Sequence, residues 1–259
     1  MSKMRCSSVM CVLGLVLCTA AQKPTPEEQQ RILETARHAA LAYGDRLPDF
    51  ICTETVQRFE KMATLRSLTD SLTIQLTYFG HKEDYKLIAI NESRTERSYE
   101  SLDGLISGGE FGTLLLRIFE RSSAADFEWK GWSNVRGQRV AVFSYRIPLN
   151  RSHYELGYRD AGRLVTETAG YHGEVLLQGE TVLRFKAIAD DIPKGSGILQ
   201  SSVEVDYEFT DVAGRNYMLP VHAVARMTRG HRELMNIVAF VGYRKFEADS
   251  TIEFHKPGR

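Results

Sequence analysis

The residues that could do chemistry in this chain gather first in a glycine-bearing loop, Gly104 to Gly112. A P-loop would follow its last glycine with lysine and a hydroxyl residue, but here Gly112 is followed by Thr113 and Leu114. The dinucleotide-binding glycine spacing is also missing. Ser107 sits in Gly-Leu-Ile-Ser-Gly, not in the G-x-S-x-G of a nucleophile elbow. The histidines are His38, His81, His153, His172, His222, His231 and His255, and none pairs at metal-ligand spacing. No metal or other cofactor is therefore expected. His81 and His172 fall where turns are expected, and a solvated ring is the simplest reading of both. Asp190 and Asp191 are adjacent, and neighbours on a strand point to opposite faces, so joint acid–base work is not expected of them. Glu110 precedes an apolar run, where it would favour a helix N-terminus electrostatically. A hydrolase with a site assembled around His153, Glu155 or His172 is a reading without a motif. Catalytic residues are accordingly expected to be absent.

Only Cys52 among the four cysteines lies outside the first 18 residues. One thiol allows no internal disulfide and no cysteine metal cluster. Among Phe50, Ile51 and Val56 it reads as a small buried hydrophobe.

The elements that must position these residues read mostly as β-strands. Leu72, Ile74, Leu76 and Tyr78 alternate with Thr73, Gln75 and Thr77, the pattern of a half-buried strand. Val203, Val205, Tyr207 and Phe209 alternate with Glu204, Asp206 and Glu208 in the same way, placing three carboxylates on a face that suits water. Further strands are expected at Phe50–Phe59, Tyr85–Ile90, Phe127–Trp132, Arg139–Ile147, His153–Tyr158, Leu164–Tyr171, Glu174–Leu177, Thr181–Ala189, Tyr217–Met227, His231–Phe246 and Thr251–Phe254. Arg136-Gly137, His172-Gly173, Gln178-Gly179 and Arg229-Gly230 read as tight turns. Asn91 to Arg97 reads as an exposed link and Asp190 to Gly197 as a loop. Short connections favour antiparallel neighbours in meander order.

Two helices interrupt this pattern. Thr25, Pro26 and Glu28 form a capping-box start, Ile32 to Tyr43 carries an apolar stripe, and Gly44 is the expected stop. The second helix is expected at Phe111 to Phe119. Its apolar residues Phe111, Leu114, Leu115, Leu116, Ile118 and Phe119 are too many for one wet face, so it is expected to be buried largely all round. It is either plain core or a plug over a cavity. In the second case Phe111, Leu114, Leu115, Ile118 and Phe119 would face the ligand, and Gly108, Gly109 and Gly112 would form the hinge.

The fold expected is mainly β (α+β). It is a curved antiparallel sheet or incomplete β-barrel meander with an N-terminal helix and a central plug or lid helix, in one domain over residues 25–254. Residues 1–21 read as a secretory signal peptide: Lys3 and Arg5, an apolar core at Val9–Leu17, and small residues before a cut after Ala21. Leu17 before Cys18 disfavours a lipoprotein anchor there. No later run is long and apolar enough for a membrane helix. Lysine plus arginine and aspartate plus glutamate are equal at 33 each, so no global field draws in nucleic acid. An outer-membrane barrel would need a lipid-facing band, which the carboxylates of Val203–Phe209 do not provide.

The segments Leu47–Thr55, Tyr78–Leu87, Gly109–Leu115 and Tyr243–Phe246 resemble a family of uncharacterised secreted bacterial proteins, over nearly the whole mature chain. More coarsely, the order resembles the LolA/LolB/RseB-like fold of lipoprotein carriers and periplasmic sensors. Three parallels carry it: the Glu27–Tyr43 helix, the meander, and the Phe111–Phe119 insertion. That resemblance implies an exported periplasmic or extracellular binding protein. It would receive a lipid, acylated peptide or hydrophobic segment on a concave sheet face. The rival expectation is a structural or interaction module with a solid core and an envelope protein as partner.

Overall fold

The computed structural model of the chain describes residues 23–62, 64–106 and 112–246. The signal-peptide segment with Cys18, the loop residues Ser107, Gly108, Gly109, Glu110 and Phe111, and the strand expected at Thr251–Phe254 lie outside the described residues. The chain enters helix α1 (Pro26–Leu41) through the capping box expected: the Thr25 hydroxyl accepts the Glu28 N–H at 3.2 Å, and Glu28 accepts the Thr25 N–H at 2.8 Å. Gly44 does not stop this helix. The axis breaks at Ala42, and Gly44 lies in a separate short turn, α2 (Tyr43–Arg46). The break lets the Tyr43 hydroxyl donate to the Met218 carbonyl at 2.7 Å. Leu47 then leaves the helix in an extended conformation, as a residue before proline must.

Thirteen strands follow among the described residues. They are β1 (Phe50–Met62), β2 (Leu65–Phe79), β3 (Lys82–Ile90), β4 (Ser93–Arg94), β5 (Gly104–Ile106), β6 (Asp126–Val135), β7 (Gln138–Ile147), β8 (Tyr154–Asp160), β9 (Arg163–Gln178), β10 (Thr181–Asp190), β11 (Ile198–Val212), β12 (Arg215–Arg229) and β13 (Arg232–Lys245). Helix α3 (Thr113–Phe119) lies between β5 and β6. The order across the sheet is β4-β3-β2-β1-β13-β12-β11-β10-β9-β7-β6, all antiparallel, with β8 and β5 branching from the first half of β9. Two meander runs are joined where the first long strand, β1, pairs with the last, β13, and β4 and β6 form the outer edges. The sheet does not close into a barrel.

Three expectations about the strands are overturned, the first being that Gly104–Ile106, read as the start of a glycine-bearing loop, is β5 and pairs with β8. His172-Gly173 is no turn, because β9 runs through it for 16 residues. Its first half pairs with β8 and its second half with β7 and β10, so the glycines at 170 and 173 mark a corner in one strand. The link at Asn91 to Arg97 contains β4, which pairs back onto β3 after a tight turn with positive φ at Asn91 and Glu92.

Paired residues on neighbouring antiparallel strands share a face. One such row runs from Ile90 on β3 through Val56 on β1, Val238 on β13 and Phe185 on β10 to Trp129 on β6, and every member is apolar. This inner face carries the core. Ala36 and Ala40 of α1, Leu115, Ile118 and Phe119 of α3, and Leu156 and Tyr158 of β8 belong to the same buried cluster.

Candidate functional site: the space around the insertion helix

Helix α3 begins at Thr113, two residues later than the apolar run suggests. Leu114, Leu115, Ile118 and Phe119 are buried, and Phe119 stacks on Phe127 with ring centroids 5.5 Å apart. Leu116 is 40% exposed and Arg117 reaches out to donate to the His153 carbonyl, so the helix is not buried all round. Gly112 has φ −160°, an extended value any residue adopts. Its small size matters instead, since a Cβ there would stand 3.3 Å from the Tyr43 ring.

A polar clamp holds the strand that leads into this helix. Arg58, only 8% exposed, points to the inner face and binds Asp70 through two nitrogens, one at 2.6 Å. Its remaining terminal nitrogen donates to the Asp103 carbonyl at 2.6 Å. Gly104 follows with φ +118°, and a Cβ on it would meet the Arg58 guanidinium at 3.1 Å. One residue further on, the Asn236 amide donates to the Leu105 carbonyl at 3.1 Å. The Asp103 carboxylate accepts the Gly162 N–H at 3.0 Å, fastening the same segment to the β8–β9 turn. None of these residues stood out in the sequence as functional. The signal was there in β1, where Arg58 continues the inward phase of Phe50, Cys52, Glu54 and Val56.

Three spaces surround α3. One of about 230 Å³ is lined by Ala39, Tyr43, Leu115, Val182, Tyr207 and Met218. A second of about 230 Å³ is lined by Leu41, Tyr78, His81, Glu83, Thr113 and Leu116. A third of about 60 Å³ lies against Leu105, Leu114, Leu156, Val203 and Met227. Tyr43 borders both larger spaces, with its ring edge-on to Tyr207 at 6.2 Å. Each space is thus walled by a different residue of α3.

Glu83 is the titratable group of this region. Burial holds its carboxyl above the usual range, against an opposing hydrogen bond from the Tyr85 hydroxyl at 2.5 Å. A raised folded-state pKa means the native state binds the proton more tightly. Its contribution to stability is therefore complete below the ordinary glutamate value and is lost as pH rises through the raised one. Urea midpoints taken across the acidic range should show wild type losing ground to Glu83→Gln as pH rises. Curves that stay parallel would contradict the burial argument.

Cys52 is 1% exposed, and burial, with the Glu54 carboxylate adding to it, pushes its thiol up to about 12. It is packing, as its apolar neighbours implied. His172 is not a solvated turn residue. It lies on β9 with its Nδ1 2.8 Å from Asp190, which also binds Arg146 at 3.1 Å. His153 and Glu155 lie at β8, exposed, and no hydrogen bond or ion pair joins either to His172. Asp206 is not left to water: it is 7% exposed beneath Arg184, which donates to it at 2.6 Å. Among the described residues no three His, Cys, Asp or Glu side chains converge as metal ligands would, and no helix is long and apolar enough to cross a membrane.

The architecture is that of an open, curved antiparallel sheet packed on helices α1 and α3 and on β8. In overall course the chain is similar to a LolA superfamily protein from Nitrosomonas europaea, at 10% identity and TM-score 0.39, covering 86% of this chain and 96% of that one. It is also similar to a DUF1329 family protein from Desulfovibrio piger, at 10% identity and TM-score 0.39, covering 86% and 95%. A third similar structure is a domain from Vibrio parahaemolyticus described as an outer membrane lipoprotein-sorting protein, at 13% identity and TM-score 0.37, covering 86% and 94%. No family model and no curated protein matches the chain.

Proposed function

We propose that this is an exported binding protein that takes up an acyl chain or another apolar segment on the inner face of its sheet, with α3 as the lid. The single observation that carries this reading is the position of α3 at the junction of three spaces, each touching a different leucine of the helix. Ligand pockets are commonly about 300–1,000 Å³. Each space alone falls below that range, and displacing α3 would join them into one that reaches it. A seven-residue helix has little stability of its own, so its place depends on packing. Gly108, Gly109 and Gly112 are the proposed hinge, with Phe111 carried on the lid. Export rests on the signal-peptide pattern of residues 1–21. Uptake from the periplasm or exterior needs no cofactor and no nucleic acid.

The test uses the mature chain with an apolar fluorescent probe and native mass spectrometry. Ala39→Trp fills the first space from its half-exposed rim and should weaken probe binding about tenfold while leaving the unfolding midpoint in place. Leu115→Ala should cost about 2 kcal/mol, the low end for a core leucine, because its side chain already borders a void. It should also raise probe uptake several-fold. A protein that carries no lipid and binds no probe, and whose Leu115→Ala form loses stability without gaining uptake, would be the solid-core envelope module instead.

A further inference from the structure

The sheet carries a second recess on its other face, and this one is cationic. A row of paired residues crosses that outer face from Phe59 on β1 through Met235 on β13, Arg226 on β12 and Ser202 on β11 to Ile188 on β10. Together with Lys186, Arg66 and the Lys61–Glu233 pair they border a groove of about 500 Å³. Phe59 and Met235 lie opposite each other on neighbouring strands at one side of it. Met235 is only 8% exposed although it faces away from the core.

The charges of this groove differ from those elsewhere on the same face. Arg184 binds Asp206 and Glu204, and Arg146 binds Asp190. Arg66, Lys186 and Arg226 are in no ion pair with a described residue. Lys186 stands between Glu174 and Glu204 in register and pairs with neither. The groove thus holds three cations that form no ion pair with a described residue, and Arg226 lies beside the apolar Phe59–Met235 pair. Its volume lies within the usual range of small-ligand sites, which neither of the larger spaces beside α3 reaches alone.

We infer that this groove binds a small anionic amphiphile, one apolar chain laid over Phe59 and Met235 with a phosphate or carboxylate head held by Arg226 and Lys186. The head group meets cations that form no ion pair with a described residue, and the chain covers the half-exposed Phe59. This site is distinct from the one under α3 and does not rest on it.

The probe is dodecyl phosphate below its micelle concentration, titrated by calorimetry into the mature chain. Ala39→Trp, which blocks the first space beside α3, should keep a dodecyl phosphate site of wild-type affinity that depends on Arg226. Arg226→Glu, a change at an exposed position, should weaken binding by more than tenfold, and Lys186→Gln should weaken it severalfold without moving the unfolding midpoint. Dodecyltrimethylammonium and millimolar inorganic phosphate should not compete. The inference is overturned if Arg226→Glu binds as wild type does, if the cationic amphiphile competes equally, or if Ala39→Trp abolishes binding. It is also overturned if only phosphatidylglycerol vesicles bind, which would make the face a membrane-docking surface.

Discussion

Replacing Arg58 by methionine is expected to cost about 3–5 kcal/mol, the range for breaking a buried ion pair and leaving its partner charged. The pair side chains of Arg58 and Asp70 are 10% and 14% exposed, so solvent screens little of the loss. The guanidinium also fastens Asp103, and through it the segment that leads into β5. The variant should therefore do more than lower the denaturant midpoint. Amide exchange at Leu105 and Ile106 should quicken beyond what the global change explains, since the Arg58 bond is one of the few polar ties on that segment beside the Asn236 and Gly162 bonds and the pairing with β8. Replacing Arg58 by methionine and Asp70 by leucine together should recover most of the loss, because two apolar side chains leave no unpaired charge behind. A single variant within 1 kcal/mol of wild type would mean that water reaches the pair and that the clamp holds nothing.

That clamp marks the boundary of what the sequence made legible. Periods of two and of helical spacing identified most of the long strands and both longer helices, because burial on one face imposes those periods directly. The alternation of Leu72 to Tyr78 sits in β2 as expected, whereas in β11 it holds from Val203 to Val205 and breaks at the register shift after Asp206, which leaves Phe209 exposed. What the periods could not show is which inward positions meet across the sheet. Arg58 and Asn236 lie far apart in the chain, and only the pairing of β1 with β13 sets them opposite each other. Likewise the outer-face row from Phe59 to Ile188 draws on five strands, and no local pattern could assemble it. The lid residues were legible as a group, since an apolar run of that density must be buried. The spaces beside them were not, because a void is a property of facing elements and not of either one.

The glycines at the corner of β9 misled for a related reason. Gly173 followed a histidine between two apolar runs, the local signature of a turn, yet its purpose is close approach. A Cβ on Gly173 would stand 1.7 Å from the carbonyl oxygen of Lys186 and 3.0 Å from the Tyr145 hydroxyl. Tyr145 is the residue paired with Gly173 on β7, and its hydroxyl donates to that same Lys186 carbonyl at 2.9 Å. The aromatic ring thus covers the bare backbone of the glycine and locks β10 against it. Gly173→Ala must push the β10 backbone away and lose the Tyr145 bond, a strain of about 3 kcal/mol or more, at the upper end of overpacking effects. Tyr145→Phe removes the hydrogen bond alone and should cost about 1 kcal/mol. Urea unfolding of both variants separates the two contributions. Were 172–173 an ordinary exposed turn, the alanine variant would unfold near the wild-type midpoint. A loss several times that of Tyr145→Phe would show instead that the curvature of the sheet, and with it the hollow beneath α3, depends on a strand that bends where it has no side chain.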